Sequence, residues 1–320
     1  MIKYVFKRLL MMIPVLLGVS LLIFTMLYFT PGDPAKQLLG EQASAEEIEQ
    51  LREEMGLNDP YIVQYATYMK NLIINHDMGL SYTTRQPVIN ELLDRFPTTL
   101  LLAALSMLLA TFIGVITGII AATRQYSIFD YFATMLSMLG VSMPNFWQGL
   151  MLILLFSVHF RWFPSSGFSG PMYWVLPVFT IGTSAASSIM RMTRSSVLEV
   201  IRADYIRTAR SKGISEKVVI FKHVLKNSLI TVITVIGLSF GSMLGGAVLT
   251  ESIFGIPGLG NLMLDAIKAR NYPIVQGGVL FIAVVFGFVN LGVDLLYAFV
   301  DPRIKSQYRG ANKKKREAIQ

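Results

Sequence analysis

The stretch EVIRADYIRTARSKGISEKVVIFKHVLK, residues 199–226, is a polar and strongly basic island between two apolar runs. Hydrocarbon excludes such a segment, because a Lys or Arg at mid-bilayer costs roughly 2.5–3.5 kcal/mol on the translocon scale. It therefore stands in water. Across 203–212, Tyr205, Ile206 and Ala209 fall at the spacing of one helical face, ringed by Arg202, Arg207, Arg210 and Lys212. Gly213 ends this helix as a left-handed C-terminal residue. Ser215, with Val218 and Val219 behind it, is placed to cap a second helix entering the next apolar run. A short helix, a glycine turn and a helix re-entering the bilayer form a lever for a soluble partner, not an active site.

Outward from this segment the chain is rich in apolar runs. Of its 320 residues 53% are hydrophobic and 15% charged, against roughly a quarter charged in soluble proteins. Several runs reach the roughly 20 apolar residues that cross a bilayer. The pattern predicts an all-α membrane protein with six spans, at 9–29, 98–122, 131–158, 173–190, 229–250 and 277–300. Gly182, Thr183, Ser184, Ser187 and Ser188 dilute the fourth. Six spans place the N-terminus, the 123–130 loop, the 191–226 segment and the 301–320 tail on one side, together with twenty of the 28 Lys and Arg. The other side takes 13 of the 20 acidic residues. The positive-inside rule makes the basic side cytoplasmic, with both termini there. Without the fourth span the basic tail would move outside, so the span is retained.

Four segments follow: residues 1–29, a cytoplasmic start and first span; 30–97, an external helical segment; 98–304, the core containing 199–226; and 305–320, a basic cytoplasmic tail. The opening MIKYVFKRLL leads into an apolar run too long for a cleaved signal and is expected to be an uncleaved anchor. Thr30-Pro31-Gly32-Asp33-Pro34 is a turn-rich exit. Ser44 and Glu47 have capping-box spacing. Asp59-Pro60 is expected to start a helix with Tyr61, Tyr65, Tyr68 and Leu72 in a stripe, and an amphipathic piece over 87–96 leads into the second span. These helices either pack on the outer membrane surface and on one another, or offer an acidic face to an external binding protein. Lys313, Lys314, Lys315 and Arg316 suit anionic headgroups, and nothing requires nucleic acid.

Pro144 interrupts the third span and is expected to kink it, as a hinge or pore constriction or as a packing feature. Gly237, Gly241, Gly245 and Gly246 give the fifth span a small-residue face for close helix approach or sliding. Residues 251–260, with Pro257 and Gly258, read as a soft external loop able to plug or shape an outer mouth, before a short helix over 261–270. Asp294 is the one ionisable residue well inside an expected span, placed to pair with a basic side chain.

What is missing also directs the reading. There is no phosphate-binding G-x-x-x-x-G-K-[ST] loop, H-E-x-x-H metal motif or G-x-S-x-G elbow. His76, His159 and His223 are far apart, and zero cysteines exclude thiol chemistry. One intramembrane carboxylate is too few for a typical proton-coupled carrier. A stand-alone carrier or channel and an intramembrane enzyme remain the competing classes. If the chain serves active transport, the energy enters from another protein through 199–226.

Over nearly its whole length the sequence resembles permease subunits of bacterial ABC importers of the dipeptide/oligopeptide class, in particular the first of their two paired permeases. The resemblance rests on Pro31-Gly32-Asp33-Pro34, Arg161-Trp162-Phe163-Pro164 with Ser166-Gly167, and Tyr205-Ile206-Arg207-Thr208-Ala209-Arg210-Ser211-Lys212-Gly213. It continues through Glu251 with Pro257-Gly258-Leu259-Gly260, Tyr272-Pro273-Ile274-Val275-Gln276-Gly277 and Asp301-Pro302-Arg303-Ile304. Against the family's E-A-A…G…I-x-L-P signature the chain keeps Ala209, Gly213 and Leu225. It carries Arg207, Thr208, His223 and Lys226 at the other positions. The resemblance implies a type I importer permease fold and a paired second permease. It implies two ATPase subunits holding ATP and Mg, an extracytoplasmic substrate-binding protein, and no cofactor or metal in this chain. Ala203, Asp204, Tyr205, Ile206, Arg207, Ala209, Arg210, Lys212 and Gly213 would then couple to an ATPase, Tyr205, Ile206 and Ala209 supplying apolar contact. Pro144, Gly241, Gly245, Pro257 and Gly258 are the gate or path candidates. Peptide is the expected cargo, with nickel chelates, glutathione or sugars as alternatives.

Overall fold

The computed structural model describes residues 2–40 and 42–300. The basic tail over 305–320 and the Asp301-Pro302-Arg303-Ile304 motif lie outside them. In chain order the helices are α1 (Ile2–Tyr28), α2 (Pro34–Leu39), α3 (Ala45–Glu54), α4 (Tyr61–Ile74) and α5 (Val88–Thr123). Then come α6 (Ile128–Ser142), α7 (Asn145–Leu152), α8 (Pro171–Ile201), α9 (Asp204–Ser211) and α10 (Glu216–Val218). The last are α11 (Leu225–Gly246), α12 (Val248–Phe254), α13 (Leu259–Lys268) and α14 (Tyr272–Val300). Wider π-helical turns extend α7 over Ile153–His159 and join α10 to α11 over Val219–Val224. Among the described residues the only strand-like pairing is an isolated bridge, Leu80 to Pro87.

Two compact units emerge. The first comprises Met1–Leu101 and Gly245–Gly287. Its core is Ile23 of α1, Val88 and Leu92 of α5, Leu259 and Ala266 of α13, and Ile274 and Val275 of α14. The capping box at the start of α3 forms, with the Glu47 backbone N–H donating to Ser44 Oγ and the Ser44 N–H donating to the Glu47 carboxylate. The N–H donated by Ser44 holds the Glu47 carboxyl below its ordinary range. Asp59 does not cap α4; Pro60 occupies that position without a side-chain bond. The tyrosine stripe of α4 turns onto α1. Tyr65 Oη lies 3.0 Å from Ser20 Oγ and Tyr61 Oη 2.6 Å from Thr25 Oγ1. The rings of Tyr61, Tyr65 and Tyr68 surround Phe24 at 5.3–5.9 Å. Apolar Ile62, Ile73 and Ile74 stay exposed.

The second unit comprises Leu102–Leu244 and Phe288–Gln320, described as far as residue 300. Helix α8 is its centre. Glycines let neighbours approach: a Cβ on Gly114 of α5 would lie 2.7 Å from the Ala186 carbonyl oxygen, and one on Gly118 would lie 2.6 Å from Thr193 Cβ. A Cβ on Gly140 of α6 would collide with the Ser187 side chain. On the other side Ser196 Oγ donates to the Ser228 carbonyl of α11 at 3.1 Å.

By length and composition four helices can cross a bilayer, over Tyr4–Tyr28, Val88–Thr123, Glu216–Gly245 and Tyr272–Leu296. A fifth is counted if α6 and the α7 segment form one span. That pair bends by 104° at Pro144, far more than the expected kink, because Met143 and Pro144 leave the helical region and α7 starts anew. The residues of the expected fourth span lie within continuous α8, which is not among the helices apolar enough to cross, so the count is four or five where six were expected. Helix α8 fails the apolar count because its inner face is polar, burying Thr180, Ser187, Thr193 and Ser196.

Candidate coupling segment

The chain leaves α8 at Arg202 and turns through Ala203, whose extended backbone (φ −68°, ψ 145°) occupies the cap position of α9. The short helix has two faces of opposite character. Ile206 is fully buried and Ala209 8% exposed, set into a cluster with Ala122 of α5, Val197 of α8, and Val219, Val224 and Leu225. Asp204, Tyr205, Arg207, Thr208, Arg210, Ser211 and Lys212 face outward, Tyr205 48% exposed. Sequence spacing put Tyr205, Ile206 and Ala209 on one apolar contact face. The structure divides them: Ile206 and Ala209 anchor the helix to its own protein, and of the three only Tyr205 is offered outward.

Gly213 follows at φ +76°, the left-handed conformation expected. Arg210 then reaches across the turn, donating from Nε to Glu216 Oε2 at 3.0 Å and from Nη2 to Oε1 at 2.6 Å. Ser215 takes the cap position of α10 but makes no capping bond. Val218 and Phe221 are 41% and 69% exposed just beyond the turn. They add exposed apolar area to the segment, and their place beside Lys217 and Lys222 in the sequence was the signal available for them.

The gate candidates occupy different settings. Pro144 sits at the 104° break, where Gln148 of α7 donates Nε2 to Thr183 Oγ1 of α8 at 2.5 Å. In the fifth span Gly237, not Gly245, makes the close approach, since a Cβ there would collide with Val293 of α14. Gly241 is buried and Gly245 exposed, at ordinary contact distance from Ile282. Pro257 and Gly258 do not lie in a soft loop. α12 runs to Phe254, and Glu251, Phe254, Ile256 and Leu259 are at most 2% exposed. Glu251 Oε1 accepts from Thr99 Oγ1 at 2.6 Å and Oε2 from the Asn261 N–H at 3.1 Å, while Thr99 Oγ1 accepts from the Leu259 N–H at 2.8 Å. The carboxylate thus caps α13 from a distance, and Gly258 lacks the Cβ that would displace it. The intervening turn is rigid because a buried polar network holds it.

A second carboxylate was not anticipated. Asp130, buried at the start of α6, receives Arg194 of α8 in a bidentate pair, Nε to Oδ1 at 2.6 Å and Nη2 to Oδ2 at 2.8 Å. The Tyr126 N–H adds a third bond at 3.0 Å. Asp294 lies half-buried on α14.

These features define a class: a polytopic helical membrane component with an exposed amphipathic helix at one end of its helical unit. Residues 114–306 match the model of the binding-protein-dependent transport system inner membrane component, and residues 1–103 match the N-terminal model of the same systems. The chain belongs to this family of ABC importer permeases. It is 43% identical to the dipeptide transport system permease protein DppB of Alkalihalophilus pseudofirmus, across 95% of this chain and 100% of that one. It is 42% identical to DppB of Escherichia coli (95% and 99% covered) and 41% identical to the glutathione transport system permease protein GsiC of E. coli (95% and 99% covered). Among solved structures, a chain of the inward-facing MetNI methionine ABC transporter aligns with a TM-score of 0.58 at 18% identity, covering 67% of this chain and 97% of that one. An amino acid ABC transporter chain aligns at 0.52 and 16% identity, covering 67% and 94%. These two likenesses concern the fold alone.

Proposed function

We propose that this chain is one of two paired permease subunits of a bacterial inner-membrane importer for di- and oligopeptides, driven by ATP. In this reading both termini and α9 face the cytoplasm. α9 docks on one of two ATPase subunits, which bind ATP and Mg, and an external binding protein delivers the cargo. ATP-driven closure of the ATPases pushes α9 and turns the spans toward an outward-open state; hydrolysis reverses the motion. The observation that carries the reading is the two-faced helix: Ile206 and Ala209 bolt it to α5, α8 and α11, while Tyr205, Arg207, Arg210 and Lys212 face out. A displacement of α9 therefore reaches three long helices together.

The cargo assignment draws on the dipeptide permeases, similar over nearly the whole chain. The glutathione permease at 41% supports a second reading, the same machinery carrying glutathione. Reconstitution with the partner permease, the two ATPases and the binding protein, followed by uptake of labelled dipeptide and labelled glutathione, decides between them. Uptake should require ATP and the binding protein and favour the dipeptide. Preference for glutathione would replace the cargo; uptake by this chain alone would overturn the subunit assignment.

A further inference from the structure

We infer that Asp130 and Arg194 form a positioning clamp that carries the movement of α9 into the broken span formed by α6 and α7. The inference rests on the coupling role proposed above and assigns the next link in it.

The argument begins with what α9 touches. Its buried residues contact Val197 of α8, and Arg194 lies one turn earlier on the same helix. Arg194 grips Asp130 with two parallel N–H···O bonds at 2.6 and 2.8 Å. This bidentate geometry fixes direction as well as distance. Asp130 has little freedom to yield. It is 3% exposed, and its Oδ2 also accepts the Tyr126 N–H at 3.0 Å, tying down the α5–α6 turn. Arg202 adds a tether from the same end of α8, donating to Gln125 Oε1 at 3.3 Å. Farther along, α8 meets the same broken span twice more. Gly140 of α6 meets Ser187, and Gln148 of α7 donates to Thr183. The break at Pro144 lies between those two contacts.

This leaves α6, the break and α7 bound to α8 at three heights. The contacts near the break are a glycine crossing and one neutral hydrogen bond, both able to slide or re-form. The clamp is different. An ionised, bidentate pair with one buried partner resists shear, and loss of Arg194 leaves the Asp130 carboxylate buried without compensation. Movement of the α9 end of α8 must then drag the start of α6, and the 104° bend is where that drag changes the shape of the span.

The test uses assembled complexes of this chain with its partner permease, ATPases and binding protein in proteoliposomes. ATP hydrolysed per dipeptide imported is the readout, because simple loss of folded protein lowers both rates together. Asp130→Asn keeps the shape and the Tyr126 bond but removes the charge; it should raise ATP consumed per dipeptide at least tenfold. Arg194→Lys, which keeps charge but loses the fork, should give an intermediate rise. An unchanged ratio in Asp130→Asn overturns the inference; should that variant fail to assemble, an unchanged ratio in Arg194→Lys does so. Maleimide labelling of Tyr205→Cys in the same complexes separates the two levels. Equal labelling with and without ATPases refutes docking through α9 and the clamp with it. Protection from labelling with an unchanged ratio refutes the clamp alone.

Discussion

Glu251 of α12 is fully buried yet sits beyond Gly245, where the apolar span that includes α11 ends. Burial pushes its carboxyl above the ordinary range, and the bonds from Thr99, Asn261 and Gly260 oppose that shift without cancelling it. A carboxyl raised by folding is favoured in its protonated form. Its contribution to stability is therefore complete below the unfolded value near 4.5 and is lost as pH rises through the folded value. The detergent-solubilised protein should accordingly melt at lower temperature as pH is raised from about 4.5, and Glu251→Gln should flatten that trend. A slope unchanged in Glu251→Gln would assign the titration to another group. Glu251→Ala should be worse at every pH. It strands buried donors around α13, at about 1–3 kcal/mol for each group left unsatisfied.

At the scale of elements, the coupling turn and the helix crossings fail in different ways. Gly213 has φ +76° but open space around a built Cβ, so its substitution is penalised by backbone conformation alone, about 1–2 kcal/mol. Gly213→Ala and Gly213→Leu should therefore impair uptake to a similar degree without affecting insertion. Gly213→Asn should retain most activity, because Asn tolerates the left-handed region. A large difference between Ala and Leu in the uptake assay would mean that a partner surface fills the space beside Gly213. Gly114 is the opposite case. A Cβ there would lie 2.7 Å from the Ala186 carbonyl and 2.8 Å from Ile189 Cβ, so Gly114→Val must push α5 from α8. Overpacking of this kind costs about 1–3 kcal/mol, and a fall in melting temperature in detergent measures it.

The same contrast shows what the sequence could disclose. Gly213, the Ser44–Glu47 box and the α9 boundaries were legible because each is encoded within a few residues. The inward turn of Ile206 and Ala209 was not, because a helical face has no intrinsic inside until its neighbours are known. Thr99 and Glu251 are 152 residues apart, and Asp130 and Arg194 are 64 apart; no local periodicity marks such pairs. The run over 251–260 misled for the same reason. Its glycines suggest softness, but Gly258 is there to admit a buried carboxylate.

For the whole molecule the decisive question is whether α8 crosses the bilayer, since the side on which α9 lies depends on it. Its 31 residues extend about 46 Å at 1.5 Å per residue, beyond the roughly 30 Å hydrocarbon core. Three of its polar side chains bond the preceding turn: Thr180 donates to the Leu176 carbonyl at 2.8 Å, Thr183 to Phe179 at 2.8 Å and Ser187 to Thr183 at 2.9 Å. Hydroxyls bonded to the preceding turn bring little unsatisfied polarity into hydrocarbon, which lets a diluted helix serve as a span. The absence of cysteine makes the arrangement directly measurable by single-cysteine labelling. In intact spheroplasts, an impermeant maleimide should modify exposed Glu54→Cys and Arg161→Cys but reach Lys212→Cys only after lysis. Labelling of Arg161→Cys and Lys212→Cys from the same side would mean that α8 does not cross, and α9 would lose its access to a cytoplasmic ATPase.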